Sequence, residues 1–325
     1  MSLRCPDPVF VVGMNGSGTT MLADSLGRHP SLYMFRLEAK VLPHFLAESA
    51  RTPLDSFAAR RRMADAIGAT KAVWQANGRR PLVLRDEQLA EPGFAGVAGA
   101  VFGEFAAREG KVRWGEKSPM NLAHLEALAA AWPAARFVHI VRDAREAAQS
   151  FHRRYGYSPV HTVYRWKKLV AQGRAQGLRL GTERYLELRY EDLTRDPEAG
   201  MRRVCGFLGL PFDAVVVESS MRMTGEAVDR SAGRIVENSD KWRLYFDEPT
   251  VQALERVAGR ALRESGYAVT IEGDEDPSPW LRRWWRARDR VALARQIFAE
   301  RGLKSLPGLL RAARTAKMQD GVRRA

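Results

Sequence analysis

Residues 9–22 read VFVVGMNGSGTTML, an apolar, β-branched run that passes through Gly13, Gly16 and Gly18 into a segment opening with Thr19 and Thr20. Glycines this close let the main chain curl so that successive amide N–H groups turn inward on an anion. A helix starting near Thr19 adds the positive end of its dipole and the unpaired N–H groups of its first turn. Such a loop holds a phosphate or sulfate group. Its spacing is that of a GxxxxG phosphate loop, yet Thr19 stands where a nucleoside triphosphatase carries lysine, so the usual grip on the β- and γ-phosphates is missing. A dinucleotide fingerprint is excluded, because Gly16-Ser17-Gly18 is followed by Thr19, Thr20 and Met21.

A second anion-binding pattern follows the apolar run RFVHIV, residues 136–141. Arg142 falls at the carboxyl end of that predicted strand, where open parallel sheets bind their ligands. Ser150 lies two turns into the next predicted helix, and Arg154 is one turn further on the same face.

In their order along the chain, these stretches resemble the sulfotransferases that use 3'-phosphoadenosine 5'-phosphosulfate (PAPS), nearest to the tyrosylprotein and carbohydrate branch. Ser17, Gly18, Thr19 and Thr20 match the family's loop, whereas Asn15 and Gly16 occupy its earlier positions without matching. The resemblance implies that Asn15 to Thr20 bind the 5'-phosphosulfate, that Arg142 and Ser150 bind the 3'-phosphate, and that Arg154 adds a phosphate contact. WGEKSPMNL, residues 114–122, is similar to the stretch that supplies an active-site lysine, which implies Lys117. LRYEDLTRDPEAGMRRVCGFLGLPFD, residues 188–213, places Tyr190 at a cofactor contact, and SDKWR, residues 239–243, resembles a loop that closes over the nucleotide with Lys241 as its basic residue. FRLEAKVLPHF, residues 35–45, is similar to the segment that carries a catalytic glutamate, which implies Glu38 as the base, with His44 as the alternative.

The resemblance covers residues 8–267 and implies PAPS as donor, 3',5'-adenosine bisphosphate as product and no metal. It implies a hydroxyl acceptor, with a carbohydrate or glycolipid first and a tyrosine phenol or small alcohol behind. Lys117 would then neutralise charge on the leaving group. Gly16 is the main departure, since many members carry Lys or Arg at that position. Two rival readings follow: a small-molecule kinase with Asp143 as its metal-holding acid, and a nucleotide-binding protein of the same fold without catalysis.

The elements that must position these residues alternate between strand and helix. Residues 8–13, 136–141 and 184–190 read as strands, the last nearer a sheet edge because it alternates in polarity. Helices are predicted over 121–132, 143–155 and 197–208, the last with Asp196 as N-cap, Pro197 in the first turn and Gly209 as the stop. The fold class expected is α/β, with a central parallel sheet of the phosphate-loop type flanked by helices, and with residues 51–110 as a helical insertion over the sheet.

Residues 1–271 read as the catalytic domain, the acidic EGDEDPSP at 272–279 as a linker, and 280–325 as a basic helical extension. Residues 278–325 hold 13 Lys and Arg against 3 Asp and Glu, so this tail carries +10 of the chain's net +14 and leaves the body little charge for nucleic acid. Trp280, Trp284 and Trp285 among Arg282, Arg283, Arg286, Arg288 and Arg290 give the tail the pattern of a helix that lies on an anionic membrane surface. Two cysteines, Cys5 and Cys205, are too few for a disulfide framework. No apolar run reaches membrane-spanning length and the N-terminus lacks a secretory pattern, so a cytoplasmic protein, peripheral at the inner membrane face, is expected.

Overall fold

In the computed structural model, which describes residues 7–301 apart from 220, 221, 225, 226, 230–232 and 236–238, the first apolar run forms strand β1, Val9–Val12. All four residues are buried, because β1 is the middle strand of a five-stranded parallel sheet. The others are β2 (Leu32–Met34), β3 (Arg113–Lys117), β4 (Arg136–Val141) and β5 (Tyr185–Arg189), in the order β2-β3-β1-β4-β5. Val11 pairs with Lys117 and Val12 with His139, so β1, β3 and β4 direct their carboxyl ends to the same end of the sheet, β4 running two residues further. β5 is at the margin, as its alternating polarity predicts.

Alternation along β1 divides the core. Phe10 and Val12 face a cluster with Phe35, Phe102, Trp114, Trp132 and Phe137, while Val9 and Val11 face Leu22, Leu26, Ile140, Met201 and Val204. Phe10 stacks on Phe137 at 5.2 Å between ring centroids and meets Trp114 edge-on at 6.0 Å. The first cluster is roofed by the expected insertion, whose helices Phe57–Gly68 and Gly93–Arg108 bury Met63, Ile67, Val97, Val101 and Phe105. The insertion is pinned by Arg60, which donates to the carbonyls of Leu89 at 2.7 Å and Leu54 at 3.1 Å.

Helix Pro197–Leu208 has the predicted bounds: Asp196 Oδ1 accepts from Ala199 N–H at 3.0 Å, and Gly209 ends it in the left-handed region at φ 66°. The helix expected over 121–132 differs. Pro119–His124 is a 3₁₀ segment and only Leu125–Ala131 is α-helical, because Asn121 is drawn into a tight turn, its amide N–H on Ser118 O at 2.9 Å and its side chain on buried Glu116. Leu122, Leu125 and Leu128 are buried all the same. Strands β2 and β3 have no counterpart in the sequence reading; β3 carries Arg113, Glu116 and Lys117, a composition that apolar periodicity does not detect.

The chain divides into two compact units, residues 1–143 with 166–240, and residues 144–165 with 241–325. The sheet belongs to the first. The second holds helices Ala144–Tyr155, Glu248–Glu264 and Pro279–Arg301, together with the start of helix Pro159–Leu180. Its centre is Arg145, which pairs with buried Glu255 at 2.7 Å and lies 3.9 Å over the Trp242 ring. The acidic segment 272–279, expected as a linker, lies within this unit. It is held along helix Glu248–Glu264 by Arg260 N–H to Gly273 O at 3.0 Å and Glu275 N–H to Arg256 O at 2.9 Å. Cys205 is buried and free; Cys5 lies outside the described residues. Among the described residues no helix is long and apolar enough to cross a membrane.

Candidate functional site

Four site-bearing turns leave the carboxyl ends of β1, β3, β4 and β5, which is where a parallel sheet offers its ligand crevice. The turn after β1 is the glycine loop. Gly13, Gly16 and Gly18 have φ of 152°, 86° and 93°, values that disfavour any residue with a Cβ. The space around two of them is also closed: a Cβ on Gly13 would lie 2.5 Å from Ile140 O, and one on Gly18 would lie 2.4 Å from Tyr190 Cδ2. Ser17 N–H returns to Met14 O at 3.1 Å, which closes the turn. Helix Thr19–Gly27 then starts with Gly18 as an N-cap that has no side-chain hydrogen bond, so its first-turn N–H groups meet no capping side chain. Ser17 is 1% exposed and its Oγ has no partner among the described residues. A buried hydroxyl of that kind in a ring of amides fits an anion of phosphate or sulfate size. Asn15, Gly16 and Thr20 are exposed on the loop, and Thr19 is buried beneath it.

Two cations reach this loop from neighbouring strands. Arg142, after β4, donates from a guanidinium NH to Gly16 O at 3.2 Å and lies 4.2 Å over the Tyr190 ring. Its own carbonyl accepts from Trp166 Nε1 at 2.9 Å, and the next residue, Asp143, donates its N–H to Glu191 Oε1 at 3.1 Å, so the turn is held on both sides. Tyr190 opens the short helix after β5 and is wedged between Gly18 and Arg142. Lys117, the last residue of β3, donates to Thr20 Oγ1 at 3.2 Å.

Lys117 also meets Glu38, Nζ to Oε1 at 2.9 Å, and Lys40 Nζ is 2.7 Å from the other carboxylate oxygen. Burial pushes the Glu38 carboxyl up, but the Lys117 charge and the hydrogen bonds from Lys40 and Lys117 outweigh it and hold the group below its ordinary value. Glu38 is therefore ionised at neutral pH. The alternative base, His44, is exposed and lies 3.7 Å from Glu48, one helical turn along.

Sequence reasoning did not single out the group that fixes Glu38. Glu116 is fully buried; its Oε1 accepts from Ala39 N–H at 3.1 Å and from the Ser118 hydroxyl, and its Oε2 accepts from Asn121 Nδ2 at 2.7 Å. Ser118 Oγ in turn accepts from Lys40 N–H at 3.1 Å. This network ties residues 38–40 to the end of β3 and holds Lys40 at φ 56°, a conformation a lysine adopts only under constraint. Complete burial pushes the Glu116 carboxyl up to about 7, against the lowering influence of its hydrogen bonds and of Lys117. The only signal in the sequence is that Glu116, Ser118 and Asn121 flank Lys117 within one short polar stretch.

The remaining candidates belong to the second unit. Ser150 and Arg154 stand one turn apart on helix Ala144–Tyr155, both partly buried, with Arg154 5.8 Å over the Tyr155 ring. Lys241 is exposed at the N-cap of the short helix Trp242–Tyr245, whose first N–H, on Trp242, reaches Glu146 Oε1 at 3.3 Å.

Comparison with known proteins agrees with the fold. A model described as the sulfotransferase family matches residues 8–214. The chain is 24% identical over 261 residues to Protein-tyrosine sulfotransferase 1 of Danio rerio, covering 78% of this chain and 66% of that protein. It is 24% identical over 277 residues to Protein-tyrosine sulfotransferase 2 of Gallus gallus, covering 78% of this chain and 68% of that one. Among solved structures it is similar to the sulfotransferase domain from the curacin biosynthetic pathway, with a TM-score of 0.51 and 19% identity over 82% of this chain and 99% of that domain.

Proposed function

Since the chain belongs to the sulfotransferase family, we propose that it moves a sulfuryl group from PAPS to a hydroxyl acceptor. One observation carries this reading: a glycine cradle with a buried Ser17 hydroxyl, unpartnered among the described residues, is met at Thr20 by a lysine that also holds an ionised glutamate. Anion site, cation and base are thereby joined through Lys117. When bound, PAPS supplies the sulfuryl group and departs as 3',5'-adenosine bisphosphate. Asn15 to Thr20 hold the 5'-phosphosulfate, and Arg142 holds the 3'-phosphate. Ser150, Arg154, Tyr190 and Lys241 are assigned to the cofactor by the resemblance, and mutation tests each.

In the transfer, Glu38 takes the proton of the acceptor hydroxyl as its oxygen bonds to sulfur. The electron pair of the broken sulfur–oxygen bond goes to the leaving phosphate oxygen. Lys117 opposes the charge that develops there. Gly16 removes the basic side chain that many members of the family carry in the loop, and Lys117, held at Thr20, supplies positive charge in its stead.

A tyrosine phenol is the reading supported by the names of the two relatives. The carbohydrate or glycolipid expected from the sequence is the second reading, supported by the arginine- and tryptophan-rich tail.

The test is transfer of labelled sulfate from PAPS to a panel of tyrosine peptides, carbohydrates and glycolipids, with calorimetry of 3',5'-adenosine bisphosphate alongside. Nucleotide affinity with transfer to one class supports the reading. No affinity on folded protein overturns it, magnesium-dependent ATP turnover favours the kinase, and tight binding without transfer to any acceptor favours the non-catalytic binder.

A further inference from the structure

Helix Pro279–Arg301 is anchored by one face and leaves another uncovered. Trp285 is buried and stacks on His161 at 5.8 Å; Asp289 bonds His161 Nδ1 at 2.6 Å and accepts from Ser158 N–H at 3.0 Å; Arg282 reaches the Tyr164 hydroxyl at 2.6 Å. These contacts fix the helix's rotation about its axis. They leave Trp280, Trp284 and Val291, at spacings of four and seven residues, on a single line with exposures of 69%, 52% and 50%. On a helix of 3.6 residues per turn, exposed Arg283 and Arg290 border that line on one side and exposed Arg288 and Arg295 on the other, with the Arg288 guanidinium 5.9 Å from the Trp284 ring. Asp289, the helix's one acidic residue before Glu300, points to the anchored face.

From this arrangement we propose that the exposed face of helix Pro279–Arg301 docks on an anionic phospholipid bilayer. Tryptophan side chains favour the boundary between headgroups and acyl chains, where the ring is buried and the indole N–H stays wet. Arginines in two rows beside them reach the phosphate layer while their stems lie on apolar surface. The tail's charge, 13 Lys and Arg against 3 Asp and Glu over residues 278–325, has the sign that an anionic leaflet selects. A second copy of the chain fits less well, because two such faces would oppose like-charged rows on both flanks. The acidic run before the helix is engaged elsewhere: Glu272 pairs with Arg263 at 2.9 Å and Asp274 with Arg260 at 3.4 Å. The proposal stands apart from the transfer chemistry, since none of these residues is assigned to it.

The experiment is co-sedimentation of the full chain with vesicles of phosphatidylcholine alone and with added phosphatidylglycerol, beside the W280S/W284S and R283Q/R288Q variants. Affinity for 3',5'-adenosine bisphosphate serves as the check that each variant folds. Binding is expected only with phosphatidylglycerol, with a loss of about tenfold or more in either variant and a further loss at high salt. Absence of binding by the unaltered chain, or equal binding by W280S/W284S, overturns the proposal. Concentration-dependent dimerisation abolished by W280S/W284S, without vesicle binding, would assign the face to a second copy instead.

Discussion

Lys117 Nζ lies 2.9 Å from Glu38 Oε1 and 3.2 Å from Thr20 Oγ1, so one ammonium group ties the candidate base to the anion loop. Lys117→Met, close in length but without charge, is expected to lower kcat by about two to three orders of magnitude. Glu38→Gln is expected to lower it by about two to four. Because the two act on one transfer step, the double variant should fall well short of the product of the single losses. Steady-state kinetics with PAPS and the best acceptor of the panel measures all three, and multiplicative losses would mean the two residues act independently.

The Arg142 guanidinium lies 4.2 Å over the centre of the Tyr190 ring while it reaches Gly16 O. Arg142→Lys keeps the charge but loses the guanidinium over the ring and its fork of donors. It is expected to weaken 3',5'-adenosine bisphosphate by about tenfold or more, an effect set by charge-assisted hydrogen bonds. Tyr190→Phe keeps the ring and should bind nearly as the unaltered protein does, whereas Tyr190→Ala should bind weakly. Calorimetry separates these outcomes; equal affinity for Arg142→Lys and the parent would mean that the guanidinium is not needed.

Gly18 has both a left-handed backbone and a tyrosine ring against it. Gly18→Ala must move the ring or the loop and is expected to destabilise the fold by about 1–3 kcal/mol while abolishing measurable nucleotide binding. Denaturant unfolding together with calorimetry reads both. A variant with unchanged stability and affinity would show that the turn relaxes freely.

Glu116 gives a signed pH dependence. Its folded-state value of about 7 is above the ordinary 4.5, so between those values the folded protein holds a proton that the unfolded chain has released. Stability contributed by the protonated group is full below the lower value and lost as pH rises through the upper one, by at most about 3 kcal/mol. Glu116→Gln should remove that slope. Buried His139, lowered to about 4, imposes an opposite slope in the same range, so the measurement is the difference in unfolding free energy between parent and Glu116→Gln at several pH values. A difference that does not change between pH values near 4.5 and 7 would place the Glu116 carboxyl at its ordinary value.

Much of the frame was legible because local chemistry wrote it: β1, β4 and β5 are apolar or alternating runs, and Asp196 and Gly209 mark the ends of their helix by capping geometry alone. β3 was not, because it buries Glu116 and Lys117 and so lacks the apolar pattern of a central strand. Polar groups can be buried there only because Ala39, Ser118, Asn121, Glu38 and Thr20, from three separate segments, satisfy them. The 121–132 stretch reads as one helix for the same reason, since apolar spacing gives no sign that Asn121 is claimed by Glu116.

By itself the sequence determined the glycine loop, the strand before it, Arg142 at a strand end and the charge of the tail. Each of these depends on residues adjacent in the chain, where backbone conformation and side-chain type act within a few residues. Only the tertiary structure decided that Lys117 joins Glu38 to Thr20, that Arg142 lies on Tyr190, and that Lys40 and the Glu116 network hold Glu38 in place. Those relations depend on the register of parallel strands far apart in sequence, which is set by burial of both sheet faces together and is not written in any one segment.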